Sequence, residues 1–415
     1  MSKLKKKFKY MPLSLKEILQ EMKMNIDVMF DLAYSAIMFQ SRELAAETEK
    51  IDSRINEMTY LLTFQTLQAT IGQSSETKKL EPIVAFGYSI DKISEALSDI
   101  AKVVDLNTHL AQFFQLCWKA TPEPIIKVTV GKGTPFSGKK WDDIHFMADY
   151  SVEVIAIFRA KHWFLDDNFI INDGDQLIVI GELPALIEFK KVCKSDEPIS
   201  FDLENKQSLD LYPASDEKAT ACANRIKDRY IRLTDMSGTM IDLALVALFF
   251  GNVEIAEDVV EQEQLVDDLI VDMERDILEF AGLIDDPKKL LGLMRIVFSC
   301  ELISDATSDI AEHVIKGFET HEVIVAAFSE AWETVVREVV ARASFFNGKT
   351  VAEVHTPKYA KGFHILAIKR DGDWIYDIKR DLKLKVDDLI IGIGPKETIN
   401  AWRKQVNPDA DIEDE

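Results

Sequence analysis

One long period constrains everything else in this chain. The run from Asp31 to Ala45 returns as the run from Asp242 to Ala256, with an offset of 211 residues at both ends. Ser98 to Ala101 returns as Ser308 to Ala311, and Gly138-Lys139 as Gly348-Lys349, each at 210. Ala156, Ile157, Arg159 and Trp163 return as Ala367, Ile368, Arg370 and Trp374 at 211, while Asp175 and Gly181 answer to Asp388 and Gly394 at 213. Chance similarity drifts out of register over such distances, so the pattern implies a unit of about 200 residues written twice.

Size agrees with this, because 415 residues exceed what one hydrophobic core usually supports. The formal net charge of −22 opposes nucleic acid and anionic lipid at long range, so no nucleic-acid partner is expected. The exception is the opening segment, where Lys3, Lys5, Lys6, Lys7 and Lys9 offer a peripheral contact with a membrane surface. Pro12, Lys16 and Glu17 stand where a signal peptide needs an apolar stretch, and no uninterrupted apolar run reaches a membrane-spanning length, which gives a cytoplasmic expectation. Cys117, Cys193, Cys222 and Cys300 form no CxxC pair and read as buried thiols in a reducing compartment.

From Leu15 to Val104 apolar residues recur every three to four positions, which predicts three amphipathic helices. The first carries Ile18, Met22, Ile26 and Met29; the second starts near Ser41; the third starts near Pro82, after the polar break 72–81. The period then changes to that of strands: 125–130, 152–158, 163–165 and 176–181, followed by a closing helix at 183–193. The second copy repeats the plan, with helices at 226–250, after Asn252 and at 290–315, strands at 335–340, 363–370 and 388–394, and a last helix at 396–406. Gly251 is placed to end one helix and Asn252 to cap the next. The fold class is therefore α+β, with two three-helix bundles (14–118 and 219–328) alternating with two small α/β modules (119–195 and 329–407), a linker at 196–218 and an acidic tail at 408–415. Each copy is expected to bury its own apolar interior, with a pseudo-twofold axis between the copies.

Two constellations stand out chemically. Glu263 and Asp267 lie four apart on one helix, as do Glu301 and Asp305 on the next, so neighbouring helices bring four carboxylates to one spot. An all-oxygen set suits a hard divalent cation such as magnesium or manganese, or iron, and does not suit a structural zinc. Copy one has Asp52, Asn56, Asp91 and Glu95 at the aligned places, one carboxylate fewer. The competing reading is a solvated acidic helix face. In the α/β modules Arg159 with His162, and Arg370, end strands where a fork-shaped cation suits phosphate; arginines merely solvated at a strand end are the alternative. The chain has no GxGxxG after a strand, no HExxH and no nucleophile elbow, so a non-catalytic protein is expected.

The paired ExxxD spacings on a three-helix bundle, with the third helix reading from Cys300 through Asp305 and Asp309 to Ala311, resemble the PhoU domain. The α/β modules resemble the TrkA C-terminal (RCK-C) domain through Ser137-Gly-Lys-Lys140, Ala156 to Arg159 and Asn172 to Gly181. The second module keeps Gly348, Lys349, Ile368, Arg370 and Gly394 but has Asp387-Asp388 where that family prefers Gly-Asp. The resemblance covers nearly the whole chain as a tandem duplication of the two domains, an arrangement similar to archaeal-type potassium transport regulators. It implies metal binding at the carboxylates, a cyclic dinucleotide between paired modules, a membrane cation channel or transporter as partner, and a homodimer. The alternative function is a metal-binding sensor in phosphate or divalent-cation homeostasis.

Overall fold

In the computed structural model, the residues described are 13–70, 77–106, 113–114, 117, 121, 124–141, 143–144, 146, 150, 152–160, 162–165, 169–196, 216–318, 321–329, 333–354, 363–375, 378–395 and 399–409. The lysine-rich opening segment, most of the expected linker and most of the acidic tail lie outside them. The chain forms two compact units, one from the stretches 1–117 and 205–330, the other from 118–204 and 331–415.

The first unit is helical. It holds α1 (Leu15–Phe39), α2 (Arg42–Thr70), α3 (Thr77–Ala101), α5 (Glu217–Phe250), α6 (Val253–Ala281), α7 (Leu291–Ile315) and the short α8 (Glu322–Ser329). Local chemistry sets the helix ends. Ser14 and Glu17 form a capping box, Ser41 accepts from the Leu44 amide, and the Asp216 and Asn252 side chains take the first free amides of α5 and α6. Gly251 closes α5 at a left-handed φ of 57°, as its position in the sequence suggests.

Two boundaries differ from the sequence reading. The third helix begins at Thr77, so Pro82 sits inside it, close enough to the start that only one early hydrogen bond is lost. The fifth begins nine residues before Ile226, because Ala219, Cys222 and Ala223 form a buried stripe of small residues too weakly apolar to register as a helix face.

The separate interiors expected for the two copies are also corrected. Each three-helix set packs within itself, but α3 also lies against α7, and α1 against α8. The seam is buried at its centre, where the Tyr34 hydroxyl on α1 approaches Cys300 Sγ on α7 at 3.9 Å. Polar contacts fasten its edges: the ion pairs Lys92 with Asp309 (2.6 Å) and Arg295 with Asp99 (3.0 Å), and a hydrogen bond between His313 and Glu81 (2.9 Å). Such exposed pairs add little energy but fix register. All four cysteines are free and buried, as expected. By length and mean hydropathy α5 is long and apolar enough to cross a membrane, with 61% of its most apolar window buried inside the protein.

The second unit holds two four-stranded antiparallel sheets. The first has β1 (Ile125–Thr129), β2 (Glu153–Arg159), β3 (His162–Phe164) and β4 (Gln176–Ile180) in the order β1-β4-β2-β3, followed by α4 (Leu183–Val192). The second has β5 (Glu333–Val339), β6 (His364–Arg370), β7 (Asp373–Ile375) and β8 (Leu389–Pro395) in the order β5-β8-β6-β7, with the one-turn α9 (Val351–Val354) and the closing α10 (Ile399–Val406). Both carry a bulge at the same repeat position, between Val154 and Ala156 and between Ile365 and Ala367. Each sheet has its own core: Phe136, Phe146 and Phe189 among others in the first, and Phe346, Phe363 and Trp402 in the second. An ion pair from Arg380 to Glu182 (2.7 Å) links the modules.

Candidate functional site

The carboxylates singled out in the sequence lie on neighbouring faces of α6 and α7, near enough to act on one another electrostatically. Glu263 has its carboxyl raised above the usual range, by partial burial first and then by Asp267, Asp305 and Glu312. Glu301 is raised by burial, Asp305, Asp267 and Glu274; Asp305 by burial, Asp267 and Asp309, with Lys92 opposing. These shifts cross from α6 to α7, so the two i,i+4 pairs form one negative cluster. Among the described residues no lysine or arginine nitrogen lies within 4 Å of these four carboxylates.

In copy one, Asp91 is pushed up to about 6 by burial, then by Asp52 and Glu95. Asp52 accepts from the Ser94 hydroxyl at 3.0 Å. Asn56 is exposed on the same stretch of α2. Both clusters thus offer only oxygen donors and excess negative charge, which fits a hard divalent cation in chemistry. Their oxygens are more loosely spaced than a filled site requires: among the described residues the only three donor atoms found within 4.8 Å of one another belong to Cys222, Asp276 and Glu279. Sequence spacing gave no hint of that trio, which sits on two helices. Its charge is already balanced, since Arg225 bonds both Asp276 (3.0 Å) and Glu279 (2.8 Å), and Arg229 also pairs with Asp276.

The arginines of the α/β modules are held in place by buried aspartates. Arg159 grips Asp175 through Nε and a terminal nitrogen, donates to the Ile170 carbonyl (2.6 Å), and stacks on Phe169 at 4.3 Å. Arg370 repeats this with Asp388 (2.7 Å twice) and the Lys383 carbonyl (2.7 Å). The aspartates also take an amide of their own turn, from Asn172 (2.8 Å) and Lys385 (2.7 Å). Asp175 and Asp388 are almost wholly enclosed, so each arginine neutralises a charge that burial would otherwise penalise.

Beside the first pair lies an open cavity of about 410 Å³, lined by Phe158, Arg159, Ala160, Gln176 and the turn Asn172 to Asp175. His162, although opposite Arg159 in the β2-β3 ladder, is exposed and is not among the lining residues. The turn itself was legible in the sequence; the stacking of Phe169 was not, since nothing in its spacing ties it to Arg159.

With this geometry in view, comparison with known proteins places the parts. Residues 230–314 match the PhoU domain and residues 125–194 match the TrkA-C domain. The chain therefore contains a PhoU domain, in the helical unit, and a TrkA-C domain, in the α/β unit. A phosphate-specific transport system accessory protein PhoU homolog from Aquifex aeolicus (strain VF5) is 32% identical over 93 residues, which is 21% of this chain and 42% of that protein. The match thus spans less than half of that relative. Among solved structures, the GsuK RCK domain aligns at 14% identity over 73% of this chain and 70% of that one, with a TM-score of 0.17. The GsuK channel bound to NAD aligns at 15% over 80% and 66%, with a TM-score of 0.18. At those TM-scores the two alignments carry no argument.

Proposed function

We propose that the chain is a non-catalytic cytoplasmic regulator of a cation channel or transporter, with potassium the first ion to test. The observation that carries this reading is the joining, in one chain, of a TrkA-C match at 125–194 to a PhoU match at 230–314. Two sheets gathered into one unit, with an open cavity beside Arg159, supply a place for a small ligand; a cyclic dinucleotide is the class to try first. Ligand binding regulates a membrane partner only if it favours one arrangement of the protein over another. The lysine-rich opening segment adds a contact at the inner membrane face, and a homodimer is the assembly to look for. Titration calorimetry with a cyclic dinucleotide, and capture of transporter fragments with and without it, test the reading. Saturable heat and ligand-dependent capture support it; no heat and no capture overturn it.

A second reading, a metal sensor in phosphate or divalent-cation homeostasis, is favoured by the clustering of Glu263, Asp267, Glu301 and Asp305 with no lysine or arginine ion-paired to them among the described residues. Metal analysis of protein purified without chelator tests it. Bound magnesium, manganese or iron that disappears in a Glu301→Ala, Asp305→Ala double variant supports it, and metal-free wild type removes it.

A further inference from the structure

The outer surface of the second helical set joins the carboxylates of the second reading to exposed apolar residues that neither reading uses. On α6 and α7, Val271, Leu278, Leu291, Phe298 and Leu302 are all exposed, from 46% for Phe298 to 71% for Leu278. Their spacings of seven on α6, and of seven then four on α7, keep them on one stripe of each helix. The helices pack side by side and are joined only by residues 282–290, so they run in opposite directions, with Glu263 and Asp267 alongside Glu301 and Asp305. Val271 therefore comes level with Phe298 and Leu278 with Leu291, so the exposed apolar stripes of two neighbouring helices run alongside each other as one apolar strip of the outer face. Isolated exposed apolar residues need no explanation, but aligned stripes on packed helices do.

The strip has a polarity. At its α6 N-terminal end stand the four clustered carboxylates, which lack a paired lysine or arginine among the described residues. The two arginines that share its stripes are already engaged, Arg275 with Asp272 (2.8 Å) and Arg295 with Asp99 (3.0 Å). From Asp267 to Leu278 the strip runs about 16 Å along α6, a length that three turns of a docked helix cover. Copy one repeats the centre of the strip: Tyr60 and Tyr88, 65% and 54% exposed, occupy the positions of Val271 and Phe298, next to Asp52, Asp91 and Glu95.

We propose that the α6/α7 face docks an amphipathic basic helix of a partner protein, its apolar side on Val271, Leu278 and Phe298 and its lysine or arginine end against Glu263, Asp267, Glu301 and Asp305. Charge complementarity selects this occupant, since the carboxylates repel an anionic lipid surface and favour a cationic end. The α2/α3 face, with Asn56 in place of one carboxylate, takes the same helix more weakly. The proposal goes beyond the regulatory reading and does not need its ligand.

The probe is a labelled 18-residue leucine/lysine amphipathic peptide, followed by fluorescence anisotropy with the full chain. The expected result is saturable binding at two sites of unequal affinity, none with a leucine/glutamate counterpart, and weakening at high salt. Leu278→Asp, at the most exposed position, and Asp267→Asn with Asp305→Asn each weaken the tighter site about tenfold while the melting temperature stays unchanged. Equal binding of the acidic peptide, or undiminished binding by both variants, overturns the proposal. So does a wild-type dimer in sedimentation that Leu278→Asp converts to monomer, or loss in that variant of binding to anionic phosphatidylserine vesicles in place of peptide binding.

Discussion

The two α/β modules make nearly the same bonds with different residues around them. Arg159-Asp175 and Arg370-Asp388 share a bidentate pair, a carbonyl and a turn amide. Where the first turn has Gly174 at φ 88°, the second has Asp387 at φ 68°, so the left-handed turn survives loss of its glycine. Aspartate tolerates that conformation better than most residues, which is why the Asp387-Asp388 departure leaves the turn intact. Around the arginine the difference is larger. Arg159 stacks on Phe169 and has 30% of its side chain exposed, whereas Leu382 stands at the repeat position of Phe169 and Arg370 is 16% exposed. The shared geometry belongs to the turn; access to the guanidinium is what diverged.

Removing the aspartates tests that comparison most strongly. Asp388→Ala should cost roughly 3 kcal/mol in denaturant unfolding, because it leaves an enclosed guanidinium unpaired. Asp175→Ala should cost less, since Arg159 keeps its aromatic face and reaches water. Equal losses would mean that exposure of the arginine does not matter.

A smaller effect separates the two helical copies. Asp91 holds its proton up to a pH of about 6, above the ordinary carboxyl value. Between those values the folded protein keeps a proton that the unfolded chain releases. This group's contribution therefore grows as pH falls through 6 and is lost as pH rises back through it. Asp91→Asn should then raise stability at pH 7 by about 1 kcal/mol after allowance for solvent screening, and flatten the profile below pH 6 in thermal melts. The smallest effect is a glycine exchange: Asp387→Gly and Gly174→Asp should move stability by roughly 0.5 kcal/mol in opposite directions, read by midpoint shifts.

Most of the fold was legible because the repeat checks itself. Most helix and strand periods in one copy are repeated in the other at offsets of 210 to 213, and caps such as Asn252 and the turn before Asp175 carry their own chemistry; the short strand β7 had no such reading in the second copy. What failed to show were features that no local pattern encodes. Tyr34 and Cys300 are 266 residues apart, and nothing around either announces that α1 and α7 share an interior. Ala219, Cys222 and Ala223 form a helix face of small residues, which a search for large apolar ones passes over. At the site, the i,i+4 carboxylates were legible because helical geometry alone puts them together, and packing of α6 on α7 did the rest. That Arg159 and Arg370 are clasped by Asp175 and Asp388 was not legible, since the arginines repeat at 211 and the aspartates at 213 and the bonds come from the sheet.

The α3/α7 seam bears on synthesis. The first three helices leave the ribosome with one flank unprotected, and the partner for that flank lies some two hundred codons downstream. At ~5–20 residues per second, the wait is roughly 10–40 s. A nascent chain of this design must hold a half-finished greasy surface in the crowded cell for that interval, which makes it a natural client for chaperones that act during translation.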